Sequence, residues 1–245
     1  VNHNCTNPNL QNLITRTSSK DEEVSEIILR VKKFFIPKNE NHVIMQGDFS
    51  QLELRLIAIF SQDPNMIEAY EQGMDLHCLA AALINDLTYE DFLKEKAENR
   101  KWYDKNRFAG KGSNFSLSYG SSAQTYRAYV KQISGVVLSL KEAELHRKMY
   151  FAKFPSMLKW HQTYRDKAEK YGYVRTLFGQ KRRLPDIKSN APSIKSKAER
   201  VAVNAPIQGT GGQIALFLID IANMIIKKKA TFFNTVHDSL IYDVP

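Results

Sequence analysis

Asp48 and Asp238 are the two carboxylates whose surroundings suit chemistry. Each follows a β-rich run, His42 to Gly47 and Phe232 to Val236, and each stands where the backbone is expected to turn. Carboxylates carried by separate strands and brought together make an oxygen-rich site for a hard cation such as Mg2+. Two such ions about 3.5–4 Å apart can activate an attacking oxygen and stabilise a leaving phosphate. The same residue types in the same places also serve as a helix N-cap and a turn residue, and spacing alone leaves both readings open.

A second constellation is Arg107, Lys111 and Phe115, at i, i+4, i+8, with Tyr119 one turn further on. Residues at this spacing drift slowly around one helix face. Two cations could neutralise the phosphates of a nucleoside triphosphate, and the rings could pack on its sugar or base; an ordinary amphipathic helix has the same spacing. Gly110 and Gly112 lie inside this row and weaken a helix by about 1 kcal/mol each relative to Ala, so something must approach closely there, or the helix must move. Arg200, Asn204 and Gln208 repeat the spacing with side chains that hydrogen-bond base edges and sugars, although scattered surface polar residues would look alike. Pro206 is expected to break the helix within that row.

These residues need strands and helices to carry them. Gln51 to Phe60 has apolar residues at helical spacing and Pro64 closes it. Helices are expected over Met74–Ile84, Asp104–Tyr119, Lys141–Tyr150, Met157–Tyr171 and Gly211–Lys229, and a hairpin over Tyr173–Pro185. Phe232–Val236 and Leu240–Val244 read as a tight hairpin with Asp238 at its tip. Strands at both ends and helices between them give an α+β chain: a sheet built from the two ends, with a helical insertion.

Composition sets the outer bounds. The chain has 245 residues, 43% hydrophobic and 25% charged, which suits a folded domain with a sizeable core. No unbroken apolar run is long enough for a membrane span, and two cysteines, Cys5 and Cys78, cannot build a disulfide scaffold. The net charge is +9, and residues 141–203 hold 16 Lys/Arg against 6 Asp/Glu. That local excess favours a polyanionic partner, while a solvated basic surface would show it too.

Five blocks of sequence resemble those of family A DNA polymerases, the DNA polymerase I family. They are PNLQN at 8–12, DFSQLELRLIA at 48–58, RFAGKGSNFSLSYG at 107–120, AERVAVNAPIQGT at 198–210 and VHDSL at 236–240. They occur in the family's order and span nearly the whole chain, and the second, third and fifth are similar to its motifs A, B and C. The resemblance implies a right-hand polymerase fold, an antiparallel palm sheet with a mainly helical fingers insertion and the thumb absent. The palm would take residues 1–62 and 191–245, and the fingers residues 63–190.

The activity so implied is template-directed DNA synthesis from dNTPs on a DNA primer–template, with two Mg2+ ions. Asp48 and Asp238 would bind both metals, with the Phe49 carbonyl as a further ligand. His77, from a DLHCLAAAL segment similar to a family helix, would hold the triphosphate together with Arg107 and Lys111. Lys111 would also protonate the leaving pyrophosphate. Gln51, Glu53, Phe115 and Tyr119 would line the nucleotide pocket, Glu53 excluding a 2′-hydroxyl. Arg200, Asn204, Gln208 and His237 would meet the DNA. The protein is expected to act as an intracellular monomer with no membrane partner, in a virus-infected cell, a bacterial cytoplasm or an organelle.

Two departures qualify the likeness. Ser239 stands where the family usually has Glu, and His-Asp-Ser also occurs in single-subunit RNA polymerases, although Glu53 and Phe115 argue for DNA synthesis. Asn2 stands where a family arginine aligns. Neither a thumb before the first block nor the family's sequence beyond the last is seen, so the chain is expected to be a fragment. A primer–template-binding piece without catalysis is the reading from a different functional class.

Overall fold

The computed structural model describes residues 36–227, 229–236 and 239–245. The PNLQN block, Asn2, Cys5, His237 and Asp238 lie outside the described residues. The chain divides into two compact units, residues 1–52 with 209–245, and residues 53–208.

In the first unit, β1 (Val43–Asp48) pairs antiparallel with β5 (Ser239–Val244), which pairs antiparallel with β4 (Thr231–Val236), in the order β1-β5-β4. The strands expected at the two ends of the chain thus form one sheet. The register sets Asp48 opposite Ser239 and Val43 opposite Val244. The central strand buries Ser239, Tyr242 and Asp243. Asp243 Oδ2 stands 2.9 Å from His42 Nδ1, and its Oδ1 accepts from the Lys38 backbone N–H at 3.2 Å, so the segment ahead of β1 is fastened to the sheet.

The second unit is mainly helical, with α1 (Leu52–Ser61), α2 (Pro64–Glu71), α3 (Leu76–Ile84), α4 (Tyr89–Glu98), α5 (Arg100–Leu117), α6 (Ala123–Ser134), α7 (Leu140–Lys153) and α8 (Ser156–Tyr171). A small antiparallel hairpin follows, β2 (Tyr173–Arg175) with β3 (Lys181–Arg183). Capping explains many of the boundaries. Asp63, Asp75, Thr88 and Ser122 accept backbone N–H groups at their helix starts, and Ser139 with Glu142 forms a full capping box. Gly135 and Gly172 end α6 and α8 in the left-handed conformation. Pro64 both closes α1 and opens α2, where its missing N–H costs nothing.

Helix α5 is wedged between α3 and α6, and its glycines allow this. A Cβ on Gly110 would collide with the His77 carbonyl oxygen and lie 2.7 Å from Ala81 N; one on Gly112 would lie 2.7 Å from Ile133 Cδ1. The close approach expected at these glycines is therefore to neighbouring helices. A cluster of Cys78, Ala81, Ala82, Phe92 and Tyr103 seals one side. There the Cys78 Sγ is buried, 3.2 Å from the Tyr103 hydroxyl.

The last helix corrects an expectation. α9 (Pro192–Ile226) runs unbroken through Pro206. An interior proline costs about 3 kcal/mol, and tertiary packing outweighs it: Ala198 and Ala202 are buried against Ala168, Val174, Leu184 and Ile187, with Val203 and Ile207 also buried. Among the described residues α9 is also the one helix long and apolar enough, by length and composition alone, to cross a membrane. Gln213, Asp220 and Asn223 interrupt its apolar sequence, so it contains no unbroken apolar run of that length.

Candidate active site

Side chains two apart on a strand share a face, as do residues directly opposed across an antiparallel pair. Gln46 and Asp48 on β1 and Ser239 on β5 therefore meet on one face. Ser239 Oγ donates to Asp48 Oδ1 at 2.6 Å, and Gln46 Nε2 donates to Ser239 Oγ at 2.9 Å. The serine hydroxyl has one proton, and its acceptance from Gln46 leaves that proton for Asp48. Asp48 is exposed. Its Oδ1 accepts one bond and its Oδ2 faces no donor among the described residues, so this hard oxygen donor set fits a divalent cation. No group of three metal-ligating side chains occurs among the described residues.

Phe49 and Gln51 connect β1 to α1. Gln51 has φ +55°, which is uncommon for a residue with a side chain. It turns the chain sharply at the point where the aspartate is presented.

In the helical unit, α3 and α5 gather the other residues. Asp75 caps α3, its Oδ1 accepting from the His77 and Cys78 N–H groups at 2.7 and 3.3 Å, while its Oδ2 takes two bonds from Arg107, 3.1 Å from Nε and 2.6 Å from Nη2. Burial pushes the Asp75 carboxyl up, but the Arg107 bonds and charge and the His77 N–H hold it below the usual range. The His77 ring lies 5.8 Å from the Phe115 ring, and Lys111 Nζ lies 5.8 Å from the same ring. Burial, with smaller contributions from the Arg107 and Lys111 charges and against the pull of Asp75, lowers His77 to about 4. His77 is therefore neutral at pH 7, beside two cations. A neutral donor with two cations on one helix face is a set that suits a polyphosphate.

Tyr119 OH donates to Glu53 Oε2 at 3.3 Å, so this pair from the expected nucleotide pocket is in contact. Desolvation, reinforced by the Glu53 charge, raises the Tyr119 phenol and keeps it a donor. Because α9 is continuous, Arg200, Asn204 and Gln208 share one helix face after all. Arg200 and Gln208 are exposed and Asn204 is half-buried; Arg200 Nη1 bonds Ser196 Oγ at 2.8 Å, and Asn204 Oδ1 has no partner among the described residues. The two remaining candidates, His237 and Asp238, lie outside the described residues.

Sequence reasoning missed Gln46, Asp75 and Asn114. The signals were present but bland: a polar residue two before Asp48 in a strand, an Asp just ahead of an apolar helix, and one Asn inside the buried stripe of α5.

The model of DNA polymerase family A matches residues 3–245. DNA polymerase I of Mycobacterium leprae (strain TN) is 31% identical over 245 residues, 98% of this chain and 24% of that protein. The DNA polymerase of Bacillus phage SP01 is 33% identical over 219 residues, 88% of this chain and 22% of that protein. The POL domain of Pol1 from M. smegmatis, solved in complex with DNA primer-template and dNTP, is similar in fold at a TM-score of 0.78 and 30% identity, covering 98% of this chain and 38% of that one. The chain spans about a quarter of the length of these curated relatives.

Proposed function

The chain belongs to DNA polymerase family A, and we propose that it carries out template-directed DNA synthesis, transferring deoxynucleoside monophosphates from dNTPs to a primer 3′-hydroxyl. The observation that carries this is the β1–β5 register. Asp48 is paired with Ser239, the neighbour in sequence of Asp238, and this pairing supports a site shared by the two carboxylates.

In this reading the palm takes residues 1–62 and 191–245, which include the whole of α9, and the fingers take residues 63–190. Asp48, Asp238 and the Phe49 carbonyl would hold two Mg2+ ions, which would supply activation of the primer hydroxyl and offset charge on the leaving pyrophosphate. The protein's own side chains position and neutralise. Arg107 and Lys111 offset phosphate charge, with Lys111 holding a proton for the pyrophosphate. His77 donates to a phosphate oxygen. Phe115, Tyr119 and Gln51 shape the pocket, and Glu53 fills the space a 2′-hydroxyl would need. Arg200, Asn204, Gln208 and His237 contact the primer–template, and the protein acts as a monomer.

Ser239 favours a second reading, an RNA-polymerase-like nucleotidyltransferase; the Glu53–Tyr119 hydrogen bond favours the first. Primer extension with dNTPs or rNTPs separates them. Incorporation of dNTPs alone is the expected result, and efficient rNTP use would support the second reading. Primer–template binding without incorporation of either would leave a binding module.

A further inference from the structure

Asn114 is fully buried on α5, and its amide has little freedom. Its Nδ2 donates to the Leu76 carbonyl at 2.8 Å, and its Oδ1 accepts from the Tyr150 hydroxyl at 3.2 Å. Flipping the amide would set Oδ1 against the Leu76 carbonyl, two acceptors with no proton between them. With the orientation so fixed, the second Nδ2 proton faces His77 Nδ1 at 3.2 Å. Nδ1 must then be the acceptor. A neutral imidazole whose Nδ1 accepts has its proton on Nε2, and an imidazolium would set donor against donor in a buried place. His77 Nε2 has no protein hydrogen-bond partner among the described residues.

We infer that Asn114 is a positioning residue: it holds His77 in the neutral Nε2–H tautomer, so that His77 meets the nucleoside triphosphate as a hydrogen-bond donor and not as a third cation beside Arg107 and Lys111. The inference rests on the reading of His77 as a phosphate contact. The groups around the ring agree with it. Arg107 and Lys111 disfavour a charged His77, and Asp75, which would favour one, spends two acceptor bonds on Arg107. Tyr150, on α7, locks the amide from the far side.

The test is 15N NMR of the protein labelled at histidine, with the His77 signals identified by their loss in His77→Gln. At pH 7 the wild-type ring is expected to show the Nε2–H pattern, and its signals to shift on addition of a dNTP. Asn114→Asp puts an acceptor before Nδ1 and is expected to move the proton there, raising KM for dNTP about ten-fold with a smaller change in kcat. An Nδ1–H or imidazolium pattern in the wild type overturns the inference, and that measurement needs no variant to fold. The Nε2–H pattern retained in Asn114→Asp also overturns it. An Nε2–H ring whose signals ignore the nucleotide, with KM unchanged in His77→Gln, instead overturns the phosphate-contact reading beneath it.

Discussion

Ser239 Oγ donates a 2.6 Å hydrogen bond to Asp48 Oδ1 across the β1–β5 pair, and is itself held by Gln46 Nε2 at 2.9 Å. Position 239 therefore supplies a neutral donor that fixes a carboxylate's orientation without adding charge. Groups that orient metal ligands typically contribute 10- to 100-fold in affinity or activity. Ser239→Ala is expected to raise the Mg2+ concentration for half-maximal primer extension about ten-fold, and Ser239→Thr to restore most of it. Titration of each variant with Mg2+, and Mn2+ binding by isothermal calorimetry, checks this. Equal Mg2+ dependence in the alanine variant would mean that the hydrogen bond does not hold a metal ligand.

Glu53 is not a loose side chain, because Tyr119 OH holds it at 3.3 Å. A pocket that has neither room nor a partner for an added hydroxyl must desolvate it. Glu53→Ala is expected to lower the preference for dATP over ATP, measured as the ratio of kcat/KM values, by ten-fold or more. Tyr119→Phe removes this one hydrogen bond and leaves the Glu53 side chain in place, and is expected to give a smaller loss in the same direction. Unchanged sugar preference in Glu53→Ala would remove Glu53 from the nucleotide site.

Gly110 and Gly112 look alike in the sequence and differ in their surroundings. At Gly110 a methyl group meets backbone, the His77 carbonyl and Ala81 N, which cannot move aside; at Gly112 it meets the flexible end of Ile133. Alanine gains about 1 kcal/mol of helix propensity at either place, and overpacking costs about 1–3 kcal/mol. Gly110→Ala is expected to destabilise by about 1–2 kcal/mol, and Gly112→Ala to be near neutral. Urea denaturation of the two variants decides; equal midpoints would contradict the wedge of α5 on α3.

These contrasts mark what sequence can carry. The strand carrying Asp48, the α5 row of Arg107, Lys111 and Phe115, and the meeting of the chain ends were legible, because period-2 and period-3.6 patterns are local. Pro206 misled, because its cost is local while the burial of Ala198 and Ala202 that outweighs it comes from residues 168–187. Short α2, α4 and α6 escaped notice for lack of a long apolar stripe, although Asp63, Thr88 and Ser122 cap them. Cross-element pairs such as Asp75–Arg107, Asn114–His77 and Ser239–Asp48 leave no trace in spacing, since only the fold sets residues 32, 37 or 191 positions apart side by side.

Acid should weaken the helical unit through its buried histidines, and His146, which burial also lowers, acts in the same direction as His77 and His161. Burial, chiefly, lowers His77 and His161 each to about 4; the Arg165 and Arg147 charges add to the effect on His161, and its bond to the Ser118 carbonyl at 2.7 Å opposes it. An unfolded histidine titrates near 6.5. Between pH 6.5 and about 4 the unfolded chain therefore binds more protons than the folded one, and stability rises with pH by at most about 1.4 kcal/mol per pH unit for each group. The Asp75 carboxyl, held low in the folded unit, adds a loss that begins only as the pH falls below the usual carboxylate value. Denaturation midpoints are expected to be level from pH 8 to 7 and to fall steadily from pH 6.5 to 5. His161→Gln, whose amide can still donate to the Ser118 carbonyl, should flatten part of that fall. A wild-type profile that is flat down to pH 5 would show that both rings stay accessible to protons in the folded protein.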